Sequence, residues 1–281
     1  MTHAQRDDAP THRDLASRAG RGAGPLLRTW REKRRLSQLA LALDAGVSSR
    51  HLSFVETGRA APSAEMIVRL AEALRIPLRE RNHLLLAAGY APAYDEQPLS
   101  SPPLLIVTDA LQRLLDAHDP YPGVALDRQW NVVLTNAASR RMLSLLPDSL
   151  RTPSVNMFRA SLHPDGFAAF TTNFAAWARH IVGQLELLAD TTLDTSIQSL
   201  LDEVREYPNV RRLLGMPLTS RDLHGGILLS CQLTLGDTRL SLFTTLATLG
   251  SPRDVTLSEL KVELFYPADA ETGDALRRMG G

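Results

Sequence analysis

The sequence predicts two domains: a small all-α domain of five helices, then a larger α+β domain built on a five-stranded antiparallel sheet. Three observations predict it. From Gly24 to about Ala88, apolar residues recur at steps of three and four, with Ser, Gly and Pro between the runs. The stretch APAYDEQPLSSPP, residues 91–103, holds four prolines and no apolar period, which marks a linker. Beyond it, helical spacing alternates with tracts of period two. At 281 residues the chain is long enough for two ordinary domains.

Residues 1–23 carry Arg, Asp, His and Gly without an apolar core, so they read as a disordered basic arm and not as a secretory signal. Pro25 suits the first position of a helix, where its missing N–H is not needed. Leu26, Leu27 and Trp30 give that helix an apolar face. Ser37 caps a second helix, and Gly46 supplies the left-handed residue that ends it. Ser48 caps a third, closing near Thr57-Gly58. Ser63 opens a fourth with Met66, Ile67, Leu70 and Leu74 in register, and Pro77 ends it. A fifth runs from Leu78 to Ala88. The expected helical domain is 24–90.

The zero net charge conceals an asymmetry. Residues 1–83 hold fifteen Lys/Arg against nine Asp/Glu, whereas residues 84–281 hold sixteen against twenty-two. A basic first domain on an acidic second one fits an N-terminal partner that is a polyanion. A helix, a tight turn with Gly46 and a second amphipathic helix form a helix-turn-helix, whose second helix fits the major groove.

The residues go further than the spacing. Ser37-Gln38, Leu39-Ala40, Ala45-Gly46-Val47-Ser48, Leu52-Ser53, Glu56, Gly58 and Pro62 resemble the phage-repressor (Cro/C1, or XRE) class, which implies a lambda-repressor-like domain on double-stranded operator DNA. That resemblance implies a phosphate contact for Gln38 at the start of the second helix and groove-facing positions for Ser49, Arg50 and Phe54. Arg50 would meet a guanine and Phe54 a thymine methyl. Ser48, His51 and Ser53 are further DNA-contact candidates, and Arg59 would clamp the backbone. Glu56 is set apart, because an acid does not belong against phosphates. The family pattern pairs it inside the domain with Arg31.

The second domain is expected over 104–270, with 271–281 as a flexible tail. A helix from about Leu104 to Ala117 leads into period two at Val124, Leu126, Trp130, Val132 and Leu134, read as two strands bent at Asp127–Gln129. Asn136 caps a helix through Leu146. Residues 158–188 read as one helix with Phe167, Phe170, Phe174, Trp177 and Ile181 in a stripe, either core or pocket wall. A helix over Asp194–Tyr207 follows. Ile227, Leu229, Cys231, Leu233 and Leu235 then alternate up to Gly236-Asp237, a two-residue hairpin signal. Leu240–Leu249 is the return strand, and Ser258–Tyr266 is the last. Helices on one face of such a sheet, in this order, describe a PAS-like sensor able to enclose an apolar cavity.

RHLSFVETGR (50–59), ASLHPDGF (160–167) with Tyr207-Pro208, and TLGSPRDVTLSELKVELFYPAD (248–269) together resemble the MmyB-like transcription regulators. That resemblance runs from Gly24 to Asp269. It implies an XRE helix-turn-helix followed by a PAS-like ligand-binding domain that senses a small apolar molecule, with a fatty acid as a candidate. Apolar lining is expected from Phe167, Phe170, Phe174 and Trp177 facing Leu229, Cys231, Leu242 and Leu264. A carboxylate ligand would need a cation or donor, for which Arg159, Arg179, His180 and Arg212 are the candidates. The other reading of this domain is a surface for a protein partner.

His163, Asp165, His180, His224 and Cys231 are the residues that chemistry would use. His163-Pro164-Asp165-Gly166 reads instead as a turn with Asp165 capping the aromatic helix, and Cys231 as an inner-face core residue. No hydrolase, zinc-protease, Walker or dinucleotide motif is present, so no enzyme, metal or cofactor is expected. One cysteine excludes an internal disulfide, and no segment reaches the eighteen apolar residues of a membrane span. The expectation is a cytoplasmic, nucleoid-associated bacterial homodimer. Two half-sites about one helical turn apart follow from its size.

Overall fold

The computed structural model describes residues 22–217 and 228–280. The arm expected over 1–23 therefore lies almost wholly outside the described residues, as do His224 and Ile227. The chain divides into two compact units: the first extends to Glu96 and takes in Pro252–Ser258, and the second comprises Gln97–Ser251 and Glu259–Gly281.

The first unit contains α1 (Ala23–Lys33), α2 (Gln38–Asp44), α3 (Ser49–Glu56), α4 (Ala64–Ala73) and α5 (Leu78–Ala87). Three serines set three of the starts. The Oγ atoms of Ser37, Ser48 and Ser63 accept from the backbone N–H of Ala40, His51 and Met66, satisfying donors that have no partner inside the helix. Gly46 ends α2 at φ +62°, and the N–H of Val47 returns to the carbonyl of Ala42. Leu27, Trp30, Leu41, Leu52, Ile67 and Leu70 are buried between the helices. Gly24 lets α1 cross α3 closely, because a Cβ there would stand 2.0 Å from the carbonyl oxygen of Val55.

The stretch expected as a linker is shorter than its composition suggests. The N–H groups of Ala93 and Tyr94 donate to Oδ1 of Asn82, and its Nδ2 donates to the Tyr94 carbonyl, so this part packs on the helical unit. Pro102 and Pro103 open α6 (Pro102–Asp116), where proline is tolerated.

The second unit continues with β1 (Gly123–Leu126), β2 (Val132–Thr135), α7 (Ala137–Leu143), α8 (Asp148–Arg151), α9 (Met157–Leu162), α10 (Phe174–Thr191), α11 (Thr195–Glu206) and α12 (Pro208–Leu214). After these come β3 (Cys231–Leu235), β4 (Thr238–Thr248), α13 (Val255–Glu259), β5 (Lys261–Pro267) and α14 (Ala270–Gly280). The five strands form one antiparallel sheet in the order β2-β1-β5-β4-β3. Gly236-Asp237 makes the two-residue turn between β3 and β4, with Gly236 at φ +59° as a type II′ turn requires.

Paired residues on antiparallel strands point to the same face, which sorts the sheet. Val124, Leu126, Cys231, Leu233, Leu240 and Leu242 form the inner face and share a core with the helices α7 to α12 and α14. Ala125, Val262, Leu264 and Tyr266 form the outer face. That face is not bare: a Cβ on Gly123 would lie 3.1 Å from side-chain atoms of both Leu115 and Leu264, which puts α6 against it. The expectation of helices on one face is thus corrected to helices on both.

Two further expectations are revised. The single helix over 158–188 is three pieces, α9, a 3-10 turn at Phe167–Ala169, and α10. Pro164 cannot donate to a continuing helix, and a Cβ on Gly166 would stand 2.5 Å from the Ala160 carbonyl oxygen, so the chain turns back there. Asp165 caps nothing; it is exposed, and its own N–H donates to Nδ1 of His163 at 3.1 Å. The expected flexible tail over 271–281 is mostly α14. Thr272, Ala275 and Leu276 are buried, and Oγ1 of Thr272 accepts from the N–H of Ser241 on β4.

Candidate nucleic-acid interface and ligand cavity

The helix-turn-helix is fixed from inside by one carboxylate. Glu56, 3 % exposed, accepts from Arg31 through both oxygens, Nε at 2.7 Å and Nη2 at 2.8 Å, and Nη1 of Arg31 donates to the Leu36 carbonyl. This bidentate pairing ties the end of α3 to α1 and to the loop before α2. Gln38 joins it, with Nε2 donating to Glu56 at 2.8 Å. Its side chain therefore turns inward at the start of α2, which revises the expectation that it reaches out to a phosphate. An acceptor beside it in the domain interior outcompetes water for that amide.

On the other side of α3, Ser49, Arg50 and His51 are exposed, and Ser53 and Phe54 are half-buried. The Arg50 guanidinium lies over the Phe54 ring at 5.6 Å, one helical turn apart, so the arginine is held out from the helix by its neighbour. Ser48 is exposed but spends its hydroxyl on the cap. Arg59 is exposed just past the helix, where its own N–H and that of Ala60 return to the Phe54 carbonyl.

In the second unit, the aromatic stripe divides between roles. Phe167, Cys231 and Leu242 line a cavity of about 50 Å³ on the inner face of the sheet, together with Val124, Met142 and Phe265. Trp177 is buried in the core, and Phe170, Phe174 and Leu229 pack against that core without reaching the cavity. Leu264 lies on the opposite face, against Leu115. The register puts it one residue out of phase with Phe265, and the sequence pattern alone does not show which parity of β5 faces inward. Burial pushes the Cys231 thiol up to about 12, and Thr171 shares a hydrogen bond with it, so it stays a protonated wall atom.

The four candidate head-group residues stand elsewhere. Arg159 pairs bidentately with Glu203, Nε at 2.8 Å and Nη2 at 2.6 Å, and the Tyr207 hydroxyl donates to the same carboxylate at 2.6 Å. The His163 ring meets the Tyr207 ring edge-on at 4.9 Å. The His-Pro-Asp-Gly and Tyr-Pro motifs thus build one polar lock beside a larger cleft of about 650 Å³. Arg159 holds Glu203 below the usual carboxylate range, and burial pushes Tyr207 up. Arg179 donates to the carbonyls of Leu213 and Met216, closing α12 onto α10, while His180 and Arg212 are exposed.

Sequence reasoning missed two residues of this face. Glu263 pairs with Val124 across β1 and β5, so its carboxyl shares the inner face with the cavity wall. Desolvation raises it to about 7, opposed only by a hydrogen bond from Thr244. Ser139, 2 % exposed on α7, lines the cavity, and its Oγ has no hydrogen-bond partner among the described residues. Lys261 and Glu263 alternate with the apolar Val262, Leu264 and Tyr266, a pattern that reads as the solvent side of β5, so the sequence hides the first. Nothing in the sequence marks the second. Among the described residues, no group of three or more His, Cys, Asp or Glu is placed to hold a metal ion, and no helix is long and apolar enough to cross a membrane.

Comparison with known proteins adds to this geometry. A family model described as the MmyB-like transcription regulator ligand binding domain matches residues 107–279, and a helix-turn-helix model matches residues 27–81. Among solved structures, that of the PAS domain from Bordetella pertussis BvgS is similar at 15% identity, with 62% of this chain and 94% of that chain covered and a TM-score of 0.26. No curated protein matches the chain.

Proposed function

The chain belongs to the MmyB-like transcription regulators, and from that premise we propose that it reads a pseudo-palindromic operator as a homodimer and changes its DNA affinity when a small apolar ligand enters the second domain. The coarser statement, a DNA-binding transcription regulator with a ligand-binding domain, is what family membership itself carries. One observation supports the finer reading most. The outward side of α3 presents Arg50 over Phe54, while Glu56 on its inner side is fully engaged by Arg31 and Gln38. A helix locked on one side and offering a pre-oriented guanidinium on the other suits base reading.

In this reading Ser49, Arg50 and Phe54 face bases, with His51, Ser53 and Arg59 beside them. Ser48 and Gln38 set the geometry of the two helices. Apolar Ile106, Ala110 and Leu114 recur at every fourth position on the exposed side of α6, a stripe suited to the expected dimer. The apolar cavity supports ligand sensing, although at about 50 Å³ it admits only a few heavy atoms without dilation. Differential binding of the ligand to one arrangement of the dimer would supply the coupling.

Selection of bound sequences from a random DNA pool, then titration of single-base variants, tests the DNA reading. Arg50→Ala should relax choice at one base pair, at about 1–3 kcal/mol. An equal loss on specific and random DNA would make Arg50 a phosphate contact only.

A further inference from the structure

We infer that α6 carries the dimer contact, and that it pairs antiparallel with α6 of a second copy about a two-fold axis close to Leu111. The inference rests on the reading of the chain as a homodimer and gives that dimer a surface and a direction.

The helix buries one side and leaves an apolar strip in water on the other. Leu104, Leu111 and Leu115 turn inward. Ile106 is 75 % exposed and Leu114 47 % exposed, and at 3.6 residues per turn they share one side with the exposed Pro103, Ala110 and Ala117. Ala110 sits at the middle of this strip. Its small side chain lets two helix axes approach to about 8–10 Å.

The charges beside the strip select its cover. Asp109 and Arg113 are exposed, and neither makes an ion pair or a side-chain hydrogen bond among the described residues. They stand one turn apart on the same helix and still do not meet. Both lie on one flank of the strip, about a quarter of a turn from its middle. The other flank is apolar, with Val107 half-buried and Leu111 buried.

That asymmetry fixes the direction of pairing. In a parallel pair the two-fold axis runs along the helices, so the charged flank of each meets the apolar flank of the other. In an antiparallel pair the axis crosses the helices, and like flanks meet. With the axis at Leu111, Asp109 of each copy stands level with Arg113 of the other, which closes two ion pairs. Leu114 then enters between Ile106 and Ala110 of the second copy. An isologous contact uses one surface twice, so the chain itself supplies both halves of each pair. It also provides the two-fold symmetry that a pseudo-palindromic operator requires. One helix pair is a small interface, and association in roughly the micromolar range is expected.

The test uses the full chain, with single cysteines for geometry and charge swaps for strength. Cys231, the chain's own cysteine, is buried and does not interfere. Under mild oxidation Ala110→Cys should cross-link to itself, because it flanks the axis. Ile106→Cys should not, since its two copies lie about 15 Å apart along the helices. Mixed with Leu114→Cys, it should cross-link. By sedimentation, Asp109→Arg and Arg113→Asp should each weaken the dimer about tenfold, and the double variant should return to within about threefold of the wild type. All three should melt as the wild type does when dilute, since both residues are exposed. Self-cross-linking of Ile106→Cys would make the pair parallel and overturn the inference. So would dimers of unchanged strength in both single swaps, or a double variant no stronger than either; in each case the homodimer stands on another surface or in another direction. A wild type that stays monomeric at about 100 μM, with and without the duplex selected from random DNA, would overturn the homodimer reading and this inference together.

Discussion

Individual residues carry unequal amounts of information. Glu56 is the clearest case of a role readable in advance: an acid on a helix meant for phosphates has to be engaged elsewhere, and Arg31 receives it. Gln38 shows where that logic stops, since the same carboxylate draws its amide inward. Glu263 went unread because a strand's polar residue is ordinarily its solvent side, and only the pairing with Val124 reveals the inner face. Its carboxyl yields a pH prediction. The ordinary value of 4.5 is raised to about 7 in the fold. Between those values the folded chain keeps a proton that the unfolded chain has released. The stability tied to this group is therefore complete below about 4.5 and is lost as pH rises through about 7, a change on the order of 3 kcal/mol. Melting temperatures from pH 5 to 8 should decline in the wild type and flatten in Glu263→Gln.

At the scale of elements, helix boundaries written in caps were legible and those written in tertiary crowding were not. Ser37, Ser48, Ser63, Asn136 and Asp194 each take the backbone donor that their position implies. The break between α9 and α10 depends on the Ala160 carbonyl standing where a Cβ of residue 166 would go. Periodicity cannot express such a contact, and an aromatic stripe reads through it. The candidate cavity suffered most, because three of its eight proposed apolar residues line it and the rest serve the core or the opposite face. The crossing of α1 and α3 gives the prediction proper to this scale. Gly24→Ala forces a methyl into the Val55 carbonyl, so the domain should lose about 3 kcal/mol. Denaturant unfolding of the full chain checks it, and a loss under 1 kcal/mol would mean that α1 can simply shift.

The whole molecule is two units in which the order along the chain and the order in space disagree. Composition located a boundary near residues 91–103, and the split falls inside that stretch, between Glu96 and Gln97. It could not reveal that Pro252–Ser258, between β4 and β5, counts with the helical unit. There Val255 is fully buried and its N–H donates to the Asp95 carbonyl at 2.8 Å. Truncation of that one side chain, Val255→Ala, should weaken the unit it is packed in by about 1–3 kcal/mol. Hydrogen exchange should then quicken in α1 to α5 and stay unchanged in β1, β4 and β5. Acceleration in the sheet instead would assign Val255 to the other unit.

That heptapeptide also bears on how the protein can be taken apart. The units are joined by three peptide bonds along the chain, 96–97, 251–252 and 258–259, so no single cut yields both of them whole. A fragment ending at Glu96 leaves without a piece of its own interior, and one beginning at Gln97 carries away a foreign loop with a bare valine. Gene dissection at this boundary would report a weakened DNA-binding unit and a sticky ligand-binding unit, and both defects would be products of the scissors. Replacing 252–258 by a short glycine-serine bridge in the second fragment, and supplying that peptide in trans to the first, respects the division that the chain itself makes.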